Sequence, residues 1–502
     1  MAVFEVSKKI DILFIKPGDH KQIYQALGSE FAGIEPPAFA GLFATYARRK
    51  GLSVAIYDVP AMQVSAEQAA QTIVDTYDPL LIVITVYGLQ PSASTQDMES
   101  AGKIARLIKE KKPDAKILMT GTHPAALPEL TMRQECVDFV CDREGPVTAY
   151  RTALALKNKT EDFSAIPSLW WRDGKNIVKP QSQEPLLTDL DNEMPGIAWD
   201  LLPMDKYRAH NWHCFDHINE RSPYASLYTS LGCPYRCSFC CINAPFGKSA
   251  YRMWSPETVV GQIDHLVKNY GVKNIKFVDE MFVLNKNHVK GICDLLIKRD
   301  YKVNIWAYAR VDTVQEDMLE RLKAAGFSWL CLGIESSSSH VRDGAQKKFK
   351  NNDIAQVVRR IQDAGIYVLG NYIFGLPDDT LESMQETLDM ALELNCEFAN
   401  FYSAMAYPGS QLYAEAVAKG WELPDSWSGF SQHAYHTKPL ANQHCSAAEI
   451  LAFRDKAFTA YFTHRPYLDM IKKKFGQDVV DHIGRMVSVP LQRKLLEERR
   501  AG

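Results

Sequence analysis

The sequence predicts an α/β protein: a doubly wound parallel sheet, then a partial (β/α)6 barrel, then a small and mainly helical C-terminal region. Three observations predict it. Short apolar runs alternate with helical periodicities through the first third of the chain. The alternation lapses, then restarts near Ala225 for six more strand–helix units. Beyond Trp421 only the helical pattern remains. A chain of 502 residues is also longer than one ordinary core supports. The expected division is a sheet domain over 8–157, a linker with a hairpin over 158–218, the barrel over 219–420 and the helical region over 421–502.

Taken in order, 10–16 (IDILFIK) reads as a buried strand. Pro36 and Pro37 open a helix in which Phe39, Leu42, Phe43 and Tyr46 follow helical spacing, and Gly51 ends it. A strand over 52–58 and a helix over 66–77 follow. Residues 80–86 (LLIVITV) are apolar throughout, as a strand covered on both faces requires. A helix over 96–111 leads to strands at 115–121 and 137–141. Such a sheet binds ligands at the carboxyl ends of its strands. In the linker, Trp170 and Trp171, the Asp173-Gly174 turn and Asn176 to Lys179 read as a hairpin. Barrel strands are expected at 225–231, 274–278, 303–308, 329–334, 367–374 and 398–404. Between the first two, Ser255 caps a helix started by Pro256, with Val259, Ile263, Leu266 and Tyr270 on one face. Barrel chemistry also belongs at strand carboxyl ends. The charged end, 493–500, reads as a solvated helix.

The composition, 46% hydrophobic and 23% charged, is that of a soluble globular protein. A net charge of -3 offers no broad basic field, so a nucleic-acid partner is not expected. The polar, charged start (MAVFEVSKK) is unlike a signal peptide, and no apolar run is long enough to cross a bilayer. The expectation is a cytoplasmic protein without a membrane span.

Eleven cysteines in such a chain are not a disulfide framework: their number is odd and seven stand singly. The other four fall between Cys233 and Cys241. There Leu231-Gly-Cys-Pro-Tyr-Arg-Cys-Ser-Phe-Cys240 forms a C-x3-C-x2-C directly after the first strand of the barrel. A 4Fe-4S cube usually takes four thiolates, one per iron, so three from one loop leave one iron open to a substrate group. Zinc is the alternative. It wants a fourth ligand and usually pairs C-x2-C elements, whereas the adjacent side chains of Cys240 and Cys241 are poorly placed to share one tetrahedral ion.

The spacing, Phe239 before the last cysteine and the position after a strand all resemble the radical S-adenosylmethionine (SAM) enzymes. That resemblance implies a cluster on Cys233, Cys237 and Cys240, whose open iron chelates SAM so that an electron splits the sulfonium and releases a 5′-deoxyadenosyl radical. It also implies a low-potential electron donor such as flavodoxin or ferredoxin. Further along, Asp279-Glu280-Met281-Phe282 resembles the acidic strand-end motif that holds the methionyl amino group, with Glu280 the expected contact. Arg310, in Ala-Arg-Val-Asp, stands where a carboxylate could be met. Gly333-Ile334-Glu335-Ser336 is similar to the family's G-x-E-S element, which makes Glu335 and Ser336 expected cofactor contacts.

The first domain resembles the cobalamin-binding domain that precedes the radical barrel in one branch of this superfamily. The matching pieces are Glu35-Pro36-Pro37 with the Gly41-Leu42 helix, Gly121-Thr122-His123-Pro124 to Leu127-Pro128-Glu129, and Arg143-Glu144-Gly145. Gly121, His123, Glu144 and Gly145 are the expected corrin-side residues. The D-x-H-x-x-G motif whose His ligates cobalt is absent: Asp19-His20 occupies the loop after the first strand with the wrong spacing. The resemblance therefore implies cobalamin held without a protein His ligand to cobalt.

Members of this branch commonly methylate unactivated centres, and a small-molecule substrate is expected here. Radical cyclisation or oxidation, as in the anaerobic magnesium-protoporphyrin monomethyl ester cyclases, is the alternative within the superfamily. RNA modification and a non-catalytic Fe-S redox protein are the alternatives outside it. The sequence leaves the catalytic residues unassigned. Trp212, His213, Trp427, His433, Tyr435 and His436 flank the barrel in irregular segments and are candidate pocket residues, pointing to a hydrophobic or amphipathic molecule.

Overall fold

The computed structural model describes residues 7–348 and 354–501, so residues 1–6, which bear on export, lie outside the described residues. The first sheet holds β1 (Lys8–Lys16), β2 (Val54–Asp58), β3 (Tyr77–Val86), β4 (Ile117–Gly121), β5 (Phe139–Cys141), β6 (Leu169–Asp173) and β7 (Asn176–Val178). Their spatial order is β2-β1-β3-β4-β5-β6-β7, and the first five are parallel. Alternation explains the all-apolar strands. Phe14 and Val83 face helices Ala38–Arg49 and Pro146–Lys157, while Leu13 and Ile82 face helices Ala66–Thr76 and Met98–Lys111. Because β1 lies between β2 and β3, the chain leaves it in opposite directions on the two sides, a topological switch point where α/β sheets take ligands.

The hairpin does not stand apart in a linker. β5 pairs antiparallel with β6, and β6 with β7, so the hairpin extends the first sheet. The reason is visible in Trp170 and Trp171: as neighbours on a strand they point to opposite faces and close both cores of the sheet.

The second sheet is β15 (Phe398–Ser403), β14 (Tyr367–Phe374), β13 (Phe327–Glu335), β12 (Asn304–Arg310), β11 (Asn274–Phe277) and β8 (Tyr224–Leu227), all parallel and in sequential order, the open barrel expected. Its first strand is shorter than 225–231. Asp279, beyond the end of β11, accepts from Thr229 N and Thr229 Oγ1, both at 2.6 Å, and from Ser230 Oγ at 2.5 Å. That capture stops the parallel pairing. Ser230 and Leu231 instead form β9 (Ser230–Leu231), antiparallel to β10 (Arg252–Met253).

Two buried ion pairs hold the sheets together. Glu144 of the first domain meets Arg252 of β10 at 2.7 Å, and Glu35 meets Lys276 of β11 at 3.0 Å while accepting from Tyr224 Oη at 2.7 Å. The C-terminal helix Ala447–Phe462 covers β14 and β15, and three more helices follow to residue 501. Among the described residues no helix is long and apolar enough to cross a membrane.

Removing one partner of a buried pair strands the other charge. Glu144→Ala is expected to cost about 3 kcal/mol, read as a lower urea midpoint of the metal-free protein, with Arg252→Met restoring part of it. An unchanged midpoint would mean that the pair is solvated and does not join the two units.

Candidate active site

The cysteine loop is held by its own backbone. Gly232 has φ +85°, and a Cβ there would run into the Ala250 carbonyl oxygen, so the loop can turn tightly beneath β10. Ser238 N donates to the Ala345 carbonyl at 3.0 Å, and Leu412 N donates to the Ser238 carbonyl at 2.8 Å. Phe239 packs on Ala404, Leu376 and Val341. Cys233, Cys237, Cys240 and Cys241 line one cavity together with Glu280, Arg310 and Glu335. Burial pushes the Cys233 thiol up to about 12 and raises Cys237 and Cys240 as well, so iron must displace protons to bind there. Among the described residues no three His, Cys, Asp or Glu side chains are grouped as a single ion requires. Three soft donors on one short loop, with Cys241 next to Cys240 and no other cysteine lining the cavity among the described residues, fit a polynuclear iron–sulfur cluster.

The strand ends supply the polar part of this wall. Asp279 is spent on the Thr229–Ser230 turn, whereas Glu280 lines the cavity and makes no hydrogen bond or ion pair among the described residues. Burial raises Glu280 to about 7, against the pull of Lys276. Glu335 ends β13 at φ +67°, a left-handed conformation that costs a residue with a Cβ roughly 1 kcal/mol, and its carboxylate pairs with buried Lys347. Arg310 reaches the cavity, but its fork is engaged: Nε lies 2.9 Å from Asp312 Oδ1, and Nη2 donates to the Lys348 carbonyl at 2.9 Å. Its Nη1 lies 4.0 Å from Cys237 Sγ, and its guanidinium sits 4.1 Å over the Tyr235 ring. Arg310 thereby braces the cysteine loop.

A second cavity lies over the switch point of the first sheet. It is walled by Lys16, Gly18 and His20 after β1, by Tyr87 and Gly88 after β3, and by Lys276, Trp306 and Phe401 of the barrel. Gln90, Ser92, Tyr308, Tyr402, Tyr407 and Gln432 line both cavities, and Gln90 hydrogen-bonds Tyr308 across the boundary. Burial, with Lys16 and Arg208 nearby, lowers His20 to about 4, so its imidazole is neutral.

Comparison with known proteins accords with this geometry. The radical SAM superfamily model matches residues 227–391 and the B12 binding domain model matches residues 24–152. The chain is a radical SAM enzyme with a B12-binding domain. Its cofactors are accordingly a 4Fe-4S cluster, SAM and cobalamin. An uncharacterized methyltransferase of Pyrococcus horikoshii is 29% identical over 479 residues, 95% of this chain and 96% of that protein. The anaerobic magnesium-protoporphyrin IX monomethyl ester cyclase of Rubrivivax gelatinosus is 27% identical over 412 residues, 80% of this chain and 69% of that protein. Among solved structures, the cobalamin-dependent radical SAM enzyme OxsB matches with a TM-score of 0.68 at 16% identity, over 95% of this chain and 71% of that one. The radical SAM methyltransferase TsrM of Kitasatospora setae matches with a TM-score of 0.61 at 18% identity, over 82% of this chain and 75% of that one. At such identities the likeness speaks for the fold.

Within this radical SAM enzyme, five expected cofactor contacts do not line either large cavity. Ser336 turns into the barrel wall, its Oγ 3.2 Å from Thr387 Oγ1. His123 is buried against Trp427, ring centroids 4.4 Å apart, with Nδ1 3.3 Å from Thr95 Oγ1. Glu144 is committed to Arg252. Gly121 and Gly145 serve close packing: a Cβ would strike Val86 in the first case, and Thr120 and Phe43 in the second. Gly121 ends β4, His123 follows it, and Glu144 and Gly145 follow β5, one or two strands away from the switch point. Of the irregular-segment candidates, Trp212 and His433 line the second cavity, while His213 is tied to the Asn304 carbonyl at 3.0 Å and Tyr435 to Glu497 at 2.9 Å. Sequence reasoning missed Gln90, Lys276 and Lys347. Lys276 carried a signal, a charge in the middle of the apolar strand NIKF; Gln90 and Lys347 carried none.

Cys237→Ala is expected to abolish stable iron uptake on anaerobic reconstitution while leaving far-ultraviolet circular dichroism unchanged. Retention of full iron and sulfide content would remove this loop as the cluster site.

Proposed function

We propose that this enzyme uses cobalamin to methylate an unactivated centre of a small molecule. One observation carries the reading. The cysteine cavity and the switch-point cavity meet along a shared wall that includes Gln90, Tyr308, Tyr402 and Tyr407, so a substrate held there is within reach of both. In this reading Cys233, Cys237 and Cys240 hold the cluster. When bound, the cluster and SAM supply hydrogen-atom abstraction and cobalamin supplies the methyl group. The chain's own part is placement. Glu280, which lines the cavity and has no hydrogen-bond or ion-pair partner among the described residues, receives the cationic amino group of SAM. Lys347 fixes Glu335 at the edge of the same site. Arg310, its fork held by Asp312, braces the cysteine loop rather than receiving the carboxylate of a ligand. Aromatic walls keep water from the reacting carbon. A low-potential donor such as flavodoxin or ferredoxin supplies electrons, in the reducing cytoplasm.

The test is anaerobic reconstitution with iron, sulfide and hydroxocobalamin, then desalting and quantitation. Stoichiometric cluster and corrin are expected, and with SAM and a reductant the protein should release 5′-deoxyadenosine. In a substrate screen, label from methyl-labelled SAM should enter the product. A ring-closed, unlabelled product would favour the cyclase reading, and a cluster without corrin would defeat methylation by this route. Glu280→Gln should weaken SAM binding about tenfold by equilibrium dialysis with iron content unchanged, because a charge-assisted hydrogen bond is lost.

A further inference from the structure

The C-terminal helical region lies beyond the residues matched by either family model, yet it closes the switch-point cavity and brings a charge imbalance to it. Helix Ala447–Phe462 presents Arg454 and Phe458 to the cavity, beside His433 from the preceding segment. Arg454 is 4% exposed. Its Nε donates to the Phe401 carbonyl at 2.8 Å, its Nη1 to Asp455 Oδ1 at 2.9 Å, and its Nη2 lies 3.2 Å from His433 Nε2. Asp455 is not its own. Arg493, also buried, holds the same carboxylate through Nε at 3.0 Å and Nη2 at 2.9 Å. The remaining Arg493 nitrogen is spent on the carbonyls of Gln432 and Ala434 and on Thr437 Oγ1.

Two buried guanidinium groups therefore share one carboxylate, and among the described residues no other carboxylate pairs with either. The neighbouring imidazole adds no negative charge. Elsewhere on the cavity wall the charges cancel, Lys16 against Asp97 and Lys276 against Glu35. Arg493 has its Nε, both Nη1 donors and one Nη2 donor engaged, and it does not line the cavity. Among the described residues Arg454 retains one N–H on Nη1 and one on Nη2 without an acceptor, and it is the arginine of the pair that lines the cavity. A buried positive charge with unmet donors is costly until an anion completes it.

We infer that this corner is an anion subsite, in which Arg454 receives a carboxylate or phosphate of the substrate while the apolar part lies along Phe458, Phe401 and Tyr402. The substrate is then an amphipathic acid. This rests on the function proposed above, and because cobalamin also carries a phosphate the test separates the two sources.

The probe is 1-anilinonaphthalene-8-sulfonate, with N-phenyl-1-naphthylamine as its uncharged counterpart, titrated by fluorescence into the full-length protein with and without reconstituted corrin. Arg454→Gln leaves the Arg493–Asp455 pair intact. It is expected to weaken the sulfonate at least tenfold while the uncharged amine, iron content and corrin uptake stay unchanged. Arg454→Lys should keep most of the affinity. Equal sulfonate affinity in wild type and Arg454→Gln overturns the subsite. Lost corrin uptake with intact sulfonate binding to the corrin-free protein assigns the anion to the cofactor and overturns the substrate assignment. Should Arg454→Gln fail to fold, competition on wild type decides: decanoate must displace the sulfonate where decanol does not. A wild type that takes up no corrin defeats the proposed function and leaves this readout in place.

Discussion

Parallel strands joined by crossover helices send every outgoing loop to the same edge of a sheet. This chain does so twice, and the two carboxyl edges share one region of space. The cavities exist because those edges meet, so the contacts that hold them in register come before any chemistry. Glu35 against Lys276 and Tyr224, and Glu144 against Arg252, are the buried polar links between the two units. Burying such charges is costly, and the return is geometric: each link has one arrangement that satisfies it. The Gln90–Tyr308 hydrogen bond lies between these links, where the two cavities meet.

Within that frame the division of labour among polar groups follows from what each one touches. Of two adjacent acids, Asp279 is consumed in terminating β8 and only Glu280 remains to face the cavity. Arg310 has the right position to bind a carboxylate, but Asp312 two residues on occupies its fork. Glu335 is held in a left-handed backbone conformation where β13 slips register against β14. Strain kept at a strand end, beside three thiols and a buried Lys–Glu pair, is characteristic of a site in which the wall overdetermines the conformation. The same reasoning distinguishes the two C-terminal arginines. Arg493 is a structural strut away from the cavity, and Arg454 is the one that brings spare donors to the cavity wall.

The fold was legible because it is local. Apolar runs that alternate with amphipathic helices specify strands covered on both faces, and the expected strands match the observed ones within a few residues. The cysteine spacing was legible for the same reason, since all three thiols sit on one short loop. The errors arose where a distant partner intervened. Asp279 shortened a strand that ended 48 residues before it at Leu231 by expectation and at Leu227 in fact. The hairpin took its place from the free edge of β5, a pairing that no local spacing specifies.

The residues lining the two cavities divide along the same line. Spacing within a loop is a property of the chain, so the sequence could single out the thiol trio and the strand-end acids that the fold brings to one cavity. Which strand's end faces the barrel is a property of sheet order. The first-domain residues expected on the corrin side lie at the ends of β4 and β5, whereas the second cavity opens at the ends of β1 and β3. Charge balance is further removed still. Arg454 and Arg493 are 39 positions apart, and only folding brings them to one carboxylate, because electrostatic pairing depends on distance in space and not along the chain.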